Sequence, residues 1–438
     1  MKRQIAISFI ICHLACGSAG AQEWTARQCM QYAVEHNHVV KRAELELDNY
    51  KAAKVTAASS FLPSVSGSTG VQYNFGRAID PETNGYTDVS TFYNGYSLSA
   101  SLPVFDGFSR LHALKAAKAS ELMGQSALRQ QQDQTALNVL QAFANVAYYE
   151  GLVKMAEEKV EETRLLLKQT QVMEEVGRKS AADVAQVESQ QAEADYELTR
   201  QQNLYETALL DLKKSMAFPL QDTLKLTVYM GRTDGQSIRS GLLLQNEQNP
   251  ELQVVRYQMQ ASKHEWRQAR ASLFPSLSLS AGLSTTYYKT LQSQTTASFS
   301  DQFKNNLGEY VGATLSIPLF NRLQTITSIR KAKNNYRMAC ENYEQKQLEL
   351  EKLSREAWQD WQGYQKQTIQ MAHKVEADSL AYQLTRRQFE EGLSTAIDLH
   401  TTSSQLLQSR ATLLQCQLMA MVKHELVRYY QGERIWTE

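Results

Sequence analysis

The chain repeats itself over most of its length, and this repetition limits the folds that it can adopt. FLPSVSGSTG at 61–70 recurs as LFPSLSLSAG at 273–282, at an offset of 212 residues. SLPVFDGFSR at 101–110 recurs as SIPLFNRLQT at 316–325, at an offset of 215. The three added residues fall in a connection between two predicted strands, where extra length is tolerated. A period of about 215 residues is too long for a solenoid and indicates two fused structural halves.

Long stretches without proline predict very long amphipathic helices. Residues 107–176 and 321–391 are rich in Ala, Leu, Gln, Glu and Lys, with apolar residues at spacings of three and four. One leading and one returning helix, each about half as long, can lie along each long helix in an antiparallel coiled bundle. The shorter predicted helical segments are 25–59, 181–217, 240–272 and 393–430.

Between the leading and the long helices the hydrophobic period changes to two. Apolar or aromatic residues alternate with Ser, Thr, Gly, Gln and Asn in four predicted strands, 64–75, 92–104, 276–288 and 310–319. The polar faces carry almost no charge, which favours a membrane β-barrel with a wet lumen over a soluble sandwich. An interfacial girdle is predicted from the aromatic residues near the strand ends, Tyr73, Phe75, Phe92, Tyr93, Tyr96, Tyr287, Tyr288 and Tyr310.

Four strands cannot close a membrane barrel, because lipid leaves no sheet edge unpaired. The chain is therefore expected to oligomerise. Two copies would supply eight strands around an interior filled by side chains, whereas three copies would supply twelve and begin to leave a channel.

The first 21 residues have the three parts of a secretory signal peptide: Lys2 and Arg3, an apolar run from Ile5 to Cys16, and small residues before Gln22. The mature chain is expected to begin near Gln22, with a lipid on Cys16 as the alternative. Lys+Arg and Asp+Glu are equal at 46 each, which disfavours nucleic acid as a partner. No later apolar run approaches the roughly 18 residues of a membrane helix.

The sequence lacks the motifs that catalysis or cofactor binding would need. It has no glycine-rich phosphate loop, no GxSxG and no HExxH, and its histidines show no ligand spacing. Removal of the signal peptide would leave three cysteines in the mature chain, Cys29, Cys340 and Cys416. Their odd number and wide separation indicate neither a disulfide framework nor a zinc site. We therefore expect no enzyme activity, no cofactor and no bound metal.

Two similar turns end the long helices. VGRKSAADV at 176–184 corresponds to EGLSTAIDL at 391–399, at an offset of 215. Gly177 and Gly392 are expected to adopt the left-handed conformation that commonly ends a helix. The motif is therefore a tight helix-turn-helix used twice. From the helix rise, these turns are expected about 100 Å from the strands.

The residues after each glycine predict the start of the returning helix. Ser180 and Thr395 are predicted N-caps, and Asp183 and Asp398 fall at N3, where they complete capping boxes and complement the helix dipole. Capping alone is a sufficient role for either aspartate.

With its duplicated long helices, four strands and paired turns, the chain resembles a TolC-type outer-membrane efflux protein of the outer membrane factor family. The likeness covers essentially the whole mature chain and rests on elements in a fixed order. These are the leading segments EHNHVV and QNPELQ, the strand openings FLPSVS and LFPSLS, the strand exits LPVFDG and IPLFNR, and the paired turns.

The resemblance implies a mainly α fold with a membrane β-barrel. Long antiparallel coiled helices of an internally duplicated chain would form a periplasmic tunnel, and four strands per chain would close as a 12-stranded barrel in a homotrimer. The first structural repeat would span 22–217 and the second 240–430. Residues 218–239 and the C-terminal tail 431–438 are the candidates for an equatorial belt.

The resemblance also implies a function and partners. The chain would be the passive exit duct of a tripartite efflux or type I secretion system in the cell outer membrane, extending into the periplasm. Its partners would be outer-membrane lipid, a periplasmic adaptor (membrane fusion) protein and an inner-membrane RND or ABC transporter, with no nucleic acid. The alternative is a structural trimeric coiled-coil spacer or adhesin anchored in the same membrane.

In this family the turns meet the adaptor and close the tunnel at rest. The matching docking residues are Val176, Gly177, Arg178, Gly392 and Leu393. The family's turns usually have a hydrophobic residue followed by glycine. Val176 and Gly177 agree with this pair, whereas at the second turn Glu391 stands in place of the hydrophobic residue before Gly392. Asp398 occupies the position of an acidic ring at the aperture. Thr401 stands where a second acidic ring would lie.

Overall fold

The computed structural model describes residues 23–79, 84–88, 90–227, 246–291 and 297–437. The predicted signal peptide at 1–21 with Cys16, residues 228–239 of the predicted equatorial linker, and residue 438 lie outside the described residues.

The described part of the chain is mainly helical. Two helices of 67 residues, α3 and α7, run through sequence that lacks proline. No helix among the described residues combines the length and apolarity needed to cross a membrane. The helices are α1 (Ala26–His36), α2 (His38–Ser59), α3 (Ser109–Glu175), α4 (Ala181–Met216), α5 (Pro250–Ala271), α6 (Phe299–Asn305), α7 (Gln324–Glu390) and α8 (Ala396–Tyr430).

The first leading segment is not one helix, because Asn37 separates α1 from α2. Asn37 is extended, with φ −64° and ψ 131°. Its side-chain oxygen accepts a hydrogen bond from the Val39 N–H at 2.8 Å, and its amide donates to the Ser215 carbonyl at 2.7 Å. An Asn side chain that caps the following helix explains the break, which apolar spacing alone does not reveal.

Eight strands are present among the described residues, and four of them form an antiparallel sheet with the order β2-β5-β7-β8. The bounds of these four differ from the predicted ones by up to three residues. The strands are β1 (Glu23–Trp24), β2 (Ser64–Asn74), β3 (Arg77–Ile79), β4 (Tyr86–Asp88), β5 (Thr91–Phe105), β6 (Lys225–Leu226), β7 (Ser276–Thr290) and β8 (Gly308–Ser316).

The register of the four-stranded sheet separates an apolar face from a polar one. Residues that pair directly share a face, and one such row is Val65, Ala100, Ala281 and Val311. On the other face the Ser66 and Ser99 hydroxyls are 3.0 Å apart and hydrogen-bonded. The sheet therefore has a serine face and an apolar face, as the alternation predicts.

Three aromatic residues of the predicted girdle, Tyr93, Tyr288 and Tyr310, lie on the serine face, and Tyr310 is also displaced along the strand. Because β8 begins only at Gly308, Tyr310 pairs with Gly282 near the middle of β7, on the serine face. A Cβ atom added to Gly282 would lie 2.5 Å from the Tyr310 ring. The glycine therefore leaves room for the tyrosine ring to cross the strand.

The far end of β7 is covered by α6 rather than by a strand. Pairing between β7 and β8 stops at Ser284 and Gly308. Beyond it the Gln302 side chain donates to the Tyr288 carbonyl at 2.8 Å and accepts from the Tyr288 N–H at 3.0 Å. Asn306 donates to the Thr286 carbonyl at 2.8 Å. These amides occupy backbone groups that an added strand would otherwise use.

The contacts divide the chain into two compact units, each built from both repeats. Unit 1 comprises the described parts of 1–41, 131–244 and 353–438. Its largest apolar cluster includes Leu140, Phe143, Leu212 and Tyr429.

Residues from β1, β6 and the C-terminal segment also pack in this apolar cluster. In β1 and β6, Trp24 pairs with Leu226 in parallel orientation. Near the C-terminus Ile435 is buried, and Trp436 donates its indole N–H to Asp133 at 2.9 Å.

Unit 2 comprises the described parts of 42–130 and 245–352 and contains the four-stranded sheet. Gly107, with φ 66°, makes the turn from β5 into α3. A Cβ atom at this position would lie 2.5 Å from the Ala271 carbonyl oxygen. The absence of a side chain therefore allows this turn to approach the end of α5 closely.

Candidate docking site at the helical turns

The turn between α3 and α4 is built around a left-handed glycine. Gly177 has φ 75°. Its N–H donates to the Glu174 carbonyl at 2.9 Å, and the Arg178 N–H donates to the Met173 carbonyl at 2.8 Å. This is the Schellman pattern, which satisfies carbonyls that the last helical turn leaves free.

The turn between α7 and α8 has the same geometry. Gly392 has φ 80°, and its N–H donates to the Phe389 carbonyl at 3.0 Å. The Leu393 N–H donates to the Gln388 carbonyl at 2.8 Å. The sequence repeat at these positions therefore corresponds to a repeat in backbone conformation.

A capping box starts each returning helix. The Ser180 hydroxyl accepts from the Asp183 N–H at 3.2 Å, and the Asp183 carboxylate accepts from the Ser180 N–H at 3.0 Å. Thr395 and Asp398 repeat this exchange at 3.1 and 3.0 Å. The caps fix the direction in which α4 and α8 leave the turns.

The two aspartates remain negatively charged at neutral pH. The hydroxyl and then the N–H of Thr395 lower the pKa of Asp398, and the Ser394 hydroxyl adds a third hydrogen bond at 3.4 Å. The N–H and then the hydroxyl of Ser180 lower the pKa of Asp183. Asp398 is exposed and Asp183 is half-buried. Each capping box therefore contains one ionised carboxylate.

The five predicted docking residues, Val176, Gly177, Arg178, Gly392 and Leu393, are all exposed, and we call them the tip surface. Val176 is 65% exposed and Leu393 is 75% exposed. Glu391, which interrupts the apolar pattern at the second turn, is also exposed. Large apolar side chains left in solvent at a tight turn mark a surface that can bind a protein partner.

Within unit 1 the two turns pack against each other. Phe389, Ala396 and Leu399 form a buried cluster with Val187 of α4. The buried amide of Gln190 donates to the Ala396 carbonyl at 3.3 Å. Lateral contact thus joins the first helical hairpin to the second.

Lys179 adds two contacts between the turns. Its ammonium group lies 4.0 Å from the centroid of the Phe389 ring and 3.5 Å from the Ser394 carbonyl oxygen. Sequence reasoning missed Lys179, Phe389 and Gln190. The repeat contained one signal for Lys179. At the offset of 215 it corresponds to Ser394, so the first turn has a cationic side chain where the second has a serine.

Comparison with known proteins agrees with this architecture. The family model described as outer membrane efflux protein matches residues 29–217 and 243–421. The alkaline protease secretion protein AprF of Pseudomonas aeruginosa is 22% identical over 379 residues, which cover 82% of this chain and 75% of AprF.

Solved structures share the fold. CusC, whose crystal structures concern folding and transmembrane channel formation, matches with a TM-score of 0.80 at 18% identity, over 93% of this chain and 92% of CusC. The outer membrane protein VceC of Vibrio cholerae matches with a TM-score of 0.79 at 14% identity, over 94% of this chain and 96% of VceC.

The family match spans most of the chain and both repeats, which confirms the predicted relation to TolC-type proteins. Relatives in this family are channel proteins rather than enzymes. They lie in the outer membrane and extend into the periplasm, as predicted for this chain. The chain belongs to the outer membrane efflux protein family and is homologous to efflux and secretion channels.

Proposed function

We propose that three copies of the chain form the passive exit duct of a tripartite efflux or type I secretion system. The observation that carries this proposal is the four-stranded sheet, in which β2 and β8 each pair on one side only among the described residues. An unsatisfied backbone group in lipid costs several kcal/mol. Pairing β8 of one copy with β2 of the next removes both edges, and three copies supply twelve strands.

The two faces of the sheet support a barrel with lipid outside. On the apolar face of a single chain Val71 is 62% exposed, Val311 is 87% exposed and Leu315 is 61% exposed. These residues would face lipid. The opposite face consists of Ser, Thr, Gly, Asn, Gln, Tyr and one Pro, without a charged side chain, whereas Glu309 and Lys289 are at the ends of their strands on the apolar face. Twelve such strands leave a water-filled interior, and this face would line it.

The tip surface supports docking of a periplasmic adaptor protein, through which an inner-membrane RND or ABC transporter would deliver substrate. Val176 and Leu393 would contribute apolar contact area, while the glycines set the turn shape. Asp398 from three copies would ring the aperture. Its exposed and ionised carboxylate supports this role, because converging negative charges attract cations.

Conductance of the purified protein in a planar bilayer tests the proposal directly. We expect a trimer by mass measurement in detergent and a stable ion current from the same sample. A trimer that carries no current would instead support the structural spacer or adhesin. A monodisperse monomer or dimer would contradict closure of the barrel by three copies.

A further inference from the structure

The segments that join the sheet to the helices are strongly basic. Residues 51–63 contain two Lys or Arg, 106–118 contain three, 263–275 contain three and 317–333 contain four, whereas Asp106 and Glu265 are their only acidic residues. The whole chain is neutral. Residues 183–199 of α4, by contrast, contain five Asp or Glu and no Lys or Arg. Positive charge is thus concentrated where the strands end.

Helix electrostatics do not explain this concentration. Helix N-termini favour acidic side chains. However, α3 and α7 begin next to the sheet, and neither has an acidic residue in its first turn. Just before α3, the Asp106 carboxylate accepts from the Arg110 N–H at 3.0 Å and pairs with the Arg110 side chain at 2.9 Å. Seven of the basic residues belong to the segments that lead into these two helices. Arg110 pairs with Asp106, whereas the other six have no carboxylate within salt-bridge distance among the described residues.

One cleft in this region combines basic and aromatic side chains. It has a volume of about 310 Å³ and is lined by Gly107, Phe108, His112, Arg267, Arg270 and Phe274, with Ala271 at its floor. Arg267 and Arg270 are exposed, and no carboxylate of the described residues lies within salt-bridge distance of either. The Arg270 guanidinium lies 5.7 Å from the centroid of the Trp266 ring. Two guanidinium groups without a carboxylate partner in one cleft suit a phosphate, which they can bind through paired N–H groups.

His112 lines the cleft, and its ring contacts that of a second histidine, His264. The rings of His112 and His264 stack with centroids 5.8 Å apart, and neither Nδ1 atom has a hydrogen-bond partner among the described residues. Burial, followed by the charges of Arg267 and Lys115, lowers the pKa of His112. Burial, followed by the charge of Arg267, also lowers the pKa of His264. An anion held by Arg267 and Arg270 would reduce this repulsion.

The aromatic rim shows which side of the sheet the cleft adjoins. Phe108 is 60% exposed and Phe274 is 57% exposed. The Phe108 ring contacts the Phe105 ring, with centroids 5.4 Å apart. Phe105 pairs with Leu277, which lies on the apolar face. The cleft therefore adjoins the face that would meet lipid, with exposed rings beside unpaired cations.

We propose that this cleft binds the headgroup phosphate of an anionic phospholipid in the periplasmic leaflet of the membrane. The inference rests on the proposed function, because the strands must span the membrane for their helix-proximal ends to reach that leaflet. The guanidinium groups of Arg267 and Arg270 hold the phosphate, and Phe108 and Phe274 contact the upper part of the acyl chains. The remaining basic residues attract other anionic headgroups to the same depth.

Native mass spectrometry of the full chain, presented with equal amounts of phosphatidylglycerol and phosphatidylcholine, tests the proposal. We expect wild type to retain phosphatidylglycerol preferentially. Arg267→Gln with Arg270→Gln should lower this preference about 30-fold, since each basic side chain near an anionic surface contributes about fivefold. The control removes two exposed charges elsewhere, Lys168→Gln with Lys366→Gln, and should retain the wild-type preference.

A second measurement separates a lipid from free phosphate. Inorganic phosphate at ten times the lipid concentration should not displace phosphatidylglycerol, because phosphate cannot use the aromatic rim. Displacement would make free phosphate the ligand and overturn the lipid assignment. An Arg267→Gln, Arg270→Gln trimer that keeps the wild-type preference would also overturn it. If that variant does not assemble, Lys115→Gln with Lys263→Gln replaces it, since both side chains are exposed and adjoin the histidines.

Trimer mass and conductance, measured on the same samples, distinguish failure of this inference from failure of the proposed function. A wild-type trimer that conducts but does not prefer phosphatidylglycerol contradicts the lipid site alone. A sample that neither trimerises nor conducts contradicts both.

Discussion

The ammonium group of Lys179 lies 4.0 Å from the centroid of the buried Phe389 ring, so a side chain of the first helical turn reaches across to the second hairpin. The second repeat has no counterpart of this contact, because Ser394 stands at the position equivalent to Lys179. The two turns share a backbone conformation but are not interchangeable.

We expect Lys179→Gln to loosen the second turn, because the substitution removes the contact with the Phe389 ring. A cation–π contact is worth about 1 kcal/mol, so amide hydrogen exchange of residues 390–396 should become about fivefold faster. Arg178→Gln is the control, since Arg178 is exposed at the same turn. Equal exchange rates in wild type and Lys179→Gln would contradict a role for Lys179 in joining the turns.

Gly177→Val and Gly392→Val should each abolish export while leaving the trimer intact. Both glycines have positive φ and open space around them, so the cost is conformational, about 1 to 2 kcal/mol. The measurement is crosslinking to the adaptor at equal amounts of trimer. Gly363→Val is the control, because Gly363 lies inside α7 with open space around it and no positive φ. Normal crosslinking in both turn variants would contradict docking through these turns.

Arg should be tolerated on one face of β7 and not on the other. Leu279 pairs with Leu102 on the apolar face, whereas Ser278 lies on the serine face opposite Thr314. Leu279→Arg should destabilise the folded protein by about 2 to 4 kcal/mol near the membrane midplane. Ser278→Arg should cost much less. Denaturant titration in lipid vesicles measures both, and equal losses would mean that the faces are assigned wrongly.

Asp398→Asn should lower the cation preference and the block by divalent ions in single-channel recordings. Asp183→Asn is the control, since it has the same capping geometry in the first repeat. Because hydrogen bonds lower the pKa of Asp398 below 3.8, the wild-type preference should persist from pH 7 to pH 5 and fall only below its ordinary pKa. Identical recordings from wild type and Asp398→Asn would leave capping as its only role.

Gln302→Ala should destabilise the far end of β7. The Gln302 side chain is buried and satisfies both backbone groups of Tyr288. Each group left unpaired costs about 1 to 3 kcal/mol. Hydrogen exchange at Tyr288 should accelerate, while the neighbouring exposed Lys304→Ala should have no effect. Unchanged protection of Tyr288 would show that α6 does not support this edge.

The long helices, the strands and the glycine turns follow from local signals: apolar periods, absence of proline, and capping residues. The features that were missed depend on long-range contacts. Asn37 divides the first leading segment by capping α2, and its amide is held by a bond to Ser215, 178 residues away. Tyr310 occupies the middle of the sheet because β8 is short, which its own sequence does not reveal. Lys179 matters only because the fold brings Phe389 beside it.

The two edges of the sheet are different surfaces, since β2 and β8 differ in sequence and length. In the proposed trimer, contact between copies is therefore head-to-tail. Such contacts close into a ring only when the rotation per copy divides a full circle, and otherwise they extend into filaments. A change in the angle at which β8 of one copy meets β2 of the next would therefore turn a closed ring into an open-ended polymer, with both edges still paired along its length.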